Sequence, residues 1–340
     1  MATLITVAIK KKFEFKEAII QFSVSWAVGV ACILIATMLV SSDYEIWNGK
    51  INSKSRIHDY WLESYDCNCY QTCSGSGANE TCTETCSTCY TDHYTVDWNV
   101  NCSVGKINIK SLDWESKRVY DEPDPKAYKA ANKGDFCATE NSYTNYIKGS
   151  EGSLFNLDNN LDFSHYEVPT YPRVHSYYKV NRVFGFGKLN KELNEILNSR
   201  LRILGPQKQA NIILIGTEYD ESYRYAVEQK WLGGKKNDII VIVGLIKDRI
   251  DWVDTITLGS NIGNELMTVK INDEIMSLKT VSNMVAVSVL NNIEKHFDRK
   301  PMEEFEYLKD EIKPSFWMTI ISILLCIACN IGIFIYFNRR

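Results

Sequence analysis

Charge is missing from two stretches of this sequence. No charged residue occurs from Ala18 to Val40, and none from Ser315 to Asn338. At 1.5 Å per residue, each stretch can cross a hydrocarbon layer of roughly 30 Å as a helix. Neither carries the polar stripe of a soluble core helix. The first is longer than the apolar core of a cleaved signal peptide, about 7–15 residues, and no small-x-small cleavage pattern follows it. It reads as a retained signal anchor. A basic excess is also missing: the net charge is −4 over 340 residues, which excludes a global field for nucleic acid. Enzyme motifs are absent too. There is no Cys-x5-Arg, no HxxxH and no Ser-His-Asp spacing, so catalysis has no sequence anchor.

What is present sets an orientation. Lys10, Lys11, Lys12 and Lys16 precede the first apolar stretch, and Asp43 and Glu45 follow it. Arg339 and Arg340 follow the second, whose other flank mixes Lys309 and Lys313 with Asp310 and Glu311. The positive-inside rule puts both termini in the cytoplasm. Residues from about Ser41 to Pro314 then lie outside, in a periplasmic, extracellular or lumenal space, and the lipid bilayer is the first expected partner.

Between Cys67 and Cys89 the chain reads CNCYQTCSGSGANETCTETCSTC. Cys32, Cys326 and Cys329 fall in the apolar stretches. The other eight, Cys67, Cys69, Cys73, Cys82, Cys86, Cys89, Cys102 and Cys137, are even in number and predicted to face an oxidising compartment, so disulfides are expected. Eight cysteines allow 105 connectivities, and the spacing does not choose among them. The competing reading is zinc, from Cys86-x2-Cys89-x3-His93 completed by Cys69-x3-Cys73; the outside placement argues against free thiolates. Cys86-Ser-Thr-Cys89 has dithiol spacing without a strand–helix context.

Elsewhere the texture divides the chain. IWNGKINSK alternates as a strand, and YTVDWNVNCSVGKINIKSLDW reads as strands turning at Gly105. Pro123 and Pro125 break this pattern. Thr139 to Ile147 reads as strand or ordered loop. Residues 151–187 form an irregular connector. From Lys188 the pattern becomes α/β. Leu189, Leu193, Ile196, Leu197 and Leu204 mark a helix face, with Gly205-Pro206 as the stop. ANIILIG (210–216) and DIIVIVGLI (238–246) read as buried parallel strands around a helix carrying Tyr223, Ala226 and Val227, with Thr217 as its cap and Gly233-Gly234 at its end. DWVDTITLG is a third strand. Met284, Val285, Ser288, Val289 and Ile293 mark a further helix. Pro301 opens a last one, with Phe305, Leu308 and Ile312 on one side.

The run YAVEQKWLGGKKNDIIVIVG, followed by IDWVDTITLG, resembles the TPM domain, the family of the thylakoid lumen 18.3 kDa protein and of many bacterial membrane-anchored proteins. The matching positions are Ala226, Trp231, Gly233, Asn237 and Asp238, leading into Ile239 to Gly244, and the resemblance covers about 188–300. The whole arrangement, with YTVDW, GKKND and RKPMEEFEYLKDEIKP, is similar to membrane proteins of unknown function carried by tailed bacteriophages. The expected fold class is therefore an α+β membrane protein: two transmembrane helices (18–40 and 315–338) flanking an ectodomain made of a small disulfide-rich β module (43–150) and an α/β, βαβ-containing, TPM-like domain (188–300). Residues 1–17 form a cytoplasmic N-terminus and 301–313 a juxtamembrane helix. The phage likeness implies residence in the bacterial inner membrane of a host.

Two functional readings follow. The favoured one is a membrane-anchored envelope interaction or structural protein, whose tyrosines at Tyr65, Tyr70, Tyr90, Tyr94, Tyr143 and Tyr146 supply contact area for a protein partner at low entropy cost. The alternative, implied by the TPM likeness, is a divalent-cation-dependent phosphatase-like hydrolase. In parallel sheets ligands sit beyond the carboxyl ends of strands. There Asp220, Glu221, Asp248 and Asp251 are the candidates for Ca²⁺ or Mg²⁺, although Asp220 and Asp248 equally suit a helix start and a turn. No resident cofactor is expected. Ser25-x3-Gly29, Ala328-x3-Gly332 and Asn330 fit a homo-oligomer or packing of the two spans on each other. The topology is checked with single-cysteine reporters near Asn52 and Arg340. A membrane-impermeant maleimide should label the first and not the second in intact cells, and the reverse pattern would invert the arrangement.

Overall fold

The computed structural model describes residues 15–75, 81–109, 124–150, 162–258 and 262–338. Outside them lie Lys10, Lys11, Lys12, Arg339 and Arg340, on which the orientation rests, together with Ser76, Gly77, Pro123, Gly259 and the stretches 110–114 and 151–161. The architecture is mixed α/β, with an apolar helix near each end of the described chain.

Helix α1 (Phe15–Ser41) and helix α8 (Phe316–Asn338) are both long and apolar enough to cross a membrane. A soluble core would cover such side chains, yet Trp26 is 66 % exposed and Phe316 71 %. The two helices pack on each other. Ser25 Oγ donates to Asn330 Oδ1 (2.8 Å), and Gly29 lies beside Cys326. The Ser25/Gly29 pair is thus used within the chain, whereas Gly332 faces open space.

Strand β1 (Ser42–Ser74) begins where α1 ends and pairs antiparallel with β2 (Thr81–Cys102). Strand β3 (Gly105–Ile109) and β4 (Phe136–Thr144) complete a sheet of order β3-β2-β1-β4. Its base has a core of Ile51, Trp98, Val100, Ile109 and Tyr178, joined by Tyr128 from the short helix α2 (Lys126–Ala130). Beyond that base, β1 and β2 continue as a two-stranded ribbon with mostly exposed side chains on both faces. At about 3.3 Å per residue, positions 57–74 beyond the β3 pairing span roughly 60 Å. A lone ribbon is marginally stable, and this one is stapled by Cys67–Cys89, Cys69–Cys86 and Cys73–Cys82. A fourth bridge, Cys102–Cys137, ties β2 to β4 at the buried base. On chain-entropy grounds a disulfide contributes about 2–4 kcal/mol.

The second sheet has four strands. Strands β7 (Val183–Phe184), β8 (Asn211–Thr217) and β9 (Asp238–Ile246) are parallel, and β10 (Arg249–Thr257) returns antiparallel to β9. Between β4 and β7 lie the short helix α3 (Tyr146–Gly149) and the two-residue strands β5 (Val174–His175) and β6 (Lys179–Val180). The period-2 alternation sends Ile212, Leu214, Ile239, Val241 and Val243 to one face, under helices α4 (Leu189–Lys208), α6 (Glu265–Leu278) and α7 (Met284–His296). Ile213, Ile215, Ile240 and Ile242 go to the other, under helix α5 (Tyr223–Trp231) and aromatic residues of the 163–171 segment.

Three local expectations change. Helix α4 does not stop at Gly205-Pro206 but runs to Lys208, where Gln209 takes a left-handed conformation and donates to the Gly205 carbonyl. A proline in the last turn removes a single intrahelical bond without ending the helix. Thr217 does not cap α5; its hydroxyl accepts from the Tyr219 N–H in a local turn, and α5 starts at Tyr223. The segment opened by Pro301 is a 3₁₀ helix, Met302–Glu311, that packs Phe305 and Leu308 against Ile147.

Gly205 brings α4 against β1: a Cβ there would strike the Asn48 carbonyl oxygen and lie 2.7 Å from the Asn48 Cβ. Gly205→Ala should therefore destabilise by about 1–3 kcal/mol, although helix propensity alone would give a gain of up to about 1 kcal/mol. Denaturant unfolding of the full chain in detergent decides the sign. A stabilised variant would mean that strand and helix do not meet there.

Candidate functional site

The carboxyl edge of the parallel sheet, where ligands were expected, does not assemble the candidate acids. Asp220 accepts hydrogen bonds from the Tyr166 hydroxyl (2.9 Å) and the Ser222 N–H (2.9 Å), which hold its pKa below the usual aspartate value. That is a turn residue's use of a carboxylate. Glu221 and Asp251 are exposed, and Asp248 sits in the β9–β10 turn, where its main-chain carbonyl takes the Val281 N–H. Among the described residues, one trio of ligand-type atoms lies within 4.8 Å, and it is Cys69, Glu84 and Cys86. Those two sulfurs are bonded to each other. Cys73 and Cys89 are likewise in bridges, so none of the sulfurs of the zinc pattern is a thiolate here.

The polar side chains gather at the opposite, amino edge. Strand β1 enters with Asp43 and Glu45, both buried. Asp43 meets Lys235 Nζ (2.6 Å) and accepts from Asn145 Nδ2 (2.9 Å). Glu45 meets Arg299 (2.7 Å), Lys236 (3.3 Å) and the Trp47 indole N–H (2.8 Å). The loop before β9 supplies both lysines, and Asn237 from the same loop donates to the Ile46 carbonyl. Asp238 opens β9 and accepts from Asn211 Nδ2, the Lys235 N–H and the Tyr171 hydroxyl. Burial pushes its pKa up to about 6, against the lowering effect of those donors. Tyr143 and Tyr171 are also raised, first by desolvation.

Arg182 lies at the centre with no exposed surface. Its guanidinium donates to Asn198 Oδ1 (2.9 Å), Asn211 Oδ1 (2.6 Å) and Asn48 Oδ1 (2.8 Å), three neutral amides. Burial lowers its pKa to about 9, which leaves it protonated at neutral pH. Asn198 belongs to α4, Asn211 to β8 and Asn48 to β1, so one cation joins the ribbon's root to both layers of the α/β body.

Beside this joint is a pocket of about 340 Å³, whose lining includes Ser42, Tyr44, Lys148, Tyr171, Lys230 and Lys235. The third notable surface is the ribbon itself. Tyr60, Trp61, Leu62, Tyr65, Tyr70 and Tyr90 are each about half exposed or more, and Trp61 stacks on His93 (5.2 Å). Of the tyrosines expected to be available for contact, Tyr65, Tyr70 and Tyr90 are exposed. Tyr143 and Tyr146 are half-buried against Ile147 and its neighbours, because β4 lies on the body. The side chain of Tyr94 is outside the described residues.

No family model, curated protein or solved structure matches the chain.

The amide-held arginine and the amino-edge joint escaped sequence reasoning, which looked for acids after strands. The sequence signals for them are Arg182, a charged residue just before a short apolar strand, and Asn237-Asp238 ahead of β9; Asn48, Asn198 and Asn211 look like solvent-facing amides until a sheet and a helix bury them.

The raised pKa of Asp238 has a signed consequence. The folded state holds this proton more tightly than the unfolded chain, so the contribution of Asp238 to stability is fully present below about pH 4 and is lost as pH rises through about 6. With the carboxyl moved from its ordinary range near 4 up to about 6, that contribution is of the order of 3 kcal/mol. Unfolding free energies of wild type and Asp238→Asn should diverge in slope between pH 4 and 6.5, with the fall present only in wild type. Parallel pH profiles would contradict the buried-acid assignment.

Proposed function

We propose that this protein is an integral membrane protein that uses the stapled ribbon as a docking arm for a protein partner outside the cytoplasm. The observation that carries the reading is the ribbon: an aromatic and aliphatic surface, from Tyr60 to Tyr90, held open by three disulfides instead of being folded onto a core. Clustered exposed aromatic and aliphatic side chains mark interaction surfaces, and tyrosine and tryptophan are enriched among the residues that dominate binding energy. The two apolar helices support anchoring, and the bridges support an oxidising compartment. The α/β body serves as the rigid mount. The likeness to TPM-domain and phage-carried membrane proteins supports an envelope setting, with the host inner membrane as its place.

The test uses photo-crosslinking residues at Tyr65, Tyr70 and Tyr90, with Tyr225 on the α/β body as the control, in native membranes. Crosslinks should come from the ribbon positions. A Tyr65→Ser, Tyr70→Ser, Tyr90→Ser variant should recover at least about tenfold less partner, since a single hot spot contributes 2 kcal/mol or more. Crosslinks from Tyr225 alone, with undiminished recovery in the variant, would move the interface to the body.

A further inference from the structure

We infer that the pocket beside the joint binds a phosphate-bearing anion. Its described lining holds Lys148, Lys230 and Lys235, with Asp43 as the one carboxylate among those residues. Asp43 pairs with Lys235. The other two ammonium groups rest on main-chain carbonyls: Lys148 Nζ on Ser42 O (2.7 Å) and Lys230 Nζ on Val168 O (2.6 Å). A carbonyl orients an ammonium without cancelling its charge, and each ammonium has three donors. Two positive charges therefore stand over one cavity, neither of them in an ion pair with a carboxylate among the described residues. Ser42 and Ser142 add hydroxyl groups at the rim, and the rings of Tyr44 and Tyr171 flank Lys235 at 4.9 and 5.1 Å. The volume falls at the small end of ligand sites, roughly 300–1,000 Å³, which suits a headgroup and leaves little room for an acyl chain.

Position names the nearest source of such an anion. Ser42 is the first residue after α1. The α3 segment beside the pocket touches the same helix end, where the Asn145 N–H donates to the Ser41 carbonyl (2.7 Å) and Gly149 lies against Ser41 and Ile312. The polar layer on each side of a bilayer is roughly 5–8 Å deep, and a strand rises about 3.3 Å per residue. Ser42 to Tyr44 then sit at headgroup level. The lipid source rests on the membrane-anchored reading above; the phosphate chemistry does not.

Binding is measured on the full chain in a nonionic detergent, with short-chain phosphatidylglycerol, short-chain phosphatidylcholine and inorganic phosphate as probes. Two uncompensated lysines near a lipid surface predict a preference for phosphatidylglycerol over phosphatidylcholine of about thirtyfold. Lys148→Gln with Lys230→Gln should erase it, and the two Lys→Arg changes should keep it. Near-UV circular dichroism checks that the variants fold. If they do not, the wild-type ratio decides alone. Phosphate that binds and displaces phosphatidylglycerol assigns the site to anions from either source, while phosphate binding without lipid binding assigns it to soluble anions. Equal affinity for the two lipids with no phosphate binding overturns the inference. Carbonate extraction run in parallel separates the two proposals: release from the membrane removes the anchor and the lipid source, and the phosphate titration still judges the site.

Discussion

A guanidinium buried with no exposed surface is the constraint on which this structure turns. Arg182 is desolvated, and the groups that replace its water are the amide oxygens of Asn48, Asn198 and Asn211. Each belongs to a different element, so the cation is satisfied only when β1, α4 and β8 are all in place. Losing one amide leaves a buried charge short of a partner, which is costly. The carboxylates of Asp43 and Glu45 add the same demand from the strand side, since breaking a buried ion pair costs about 3–5 kcal/mol. Such groups add little net stability over an apolar core. They act by making neighbouring registers worse: a one-residue slip of β1 would carry Asp43, Glu45 and Asn48 away from Lys235, Arg299 and Arg182 together.

That joint explains how a ribbon with almost no core of its own keeps a fixed base. The outer part relies on covalent bonds, the root on polar contacts that only the α/β body can supply, and Cys102–Cys137 lies between the two regimes. Gly205 allows the approach, because α4 reaches β1 only where no side chain intervenes. The same packing withdraws Tyr143 from solvent and turns it into an acceptor for the Lys236 N–H.

Much of the body was legible from local pattern. The continuous apolar runs in β8 and β9 are buried on both faces, so they contain almost no polar residue to obscure them. Helix α6 carries a legible face in Met267, Ile271 and Ile275 at four-residue spacing, blurred by Leu266 and Val269, which are apolar yet exposed. The disulfides followed from compartment logic, but their order did not. The nesting of 67 with 89, 69 with 86 and 73 with 82 follows the hairpin register, and the near-mirror spacing of the cysteines on the two strands reveals it only once the two stretches are known to be one hairpin. The length of the ribbon was hidden for a related reason: with neither face on a core, residues 60–75 show no alternation to read. The amino-edge joint is assembled from positions far apart in the chain, from 43 to 299, and becomes visible only once the sheet order is known.

Helix α1 ends at Ser41 and strand β1 begins at Ser42, so no linker residues separate the apolar helix from the strand that becomes the ribbon. In mechanical terms the two form one continuous lever whose fulcrum is the joint around Arg182. A sideways load at the far tip acts over an arm of roughly 85 Å from Asn48 to Ser74, and it is opposed at the base by the β3-β2-β1-β4 sheet, its core and the Cys102–Cys137 bridge together with the joint's hydrogen bonds and ion pairs. A slack linker would dissipate it. This junction instead passes it along the backbone into helix α1, which is held in turn against α8 at Ser25 and Asn330.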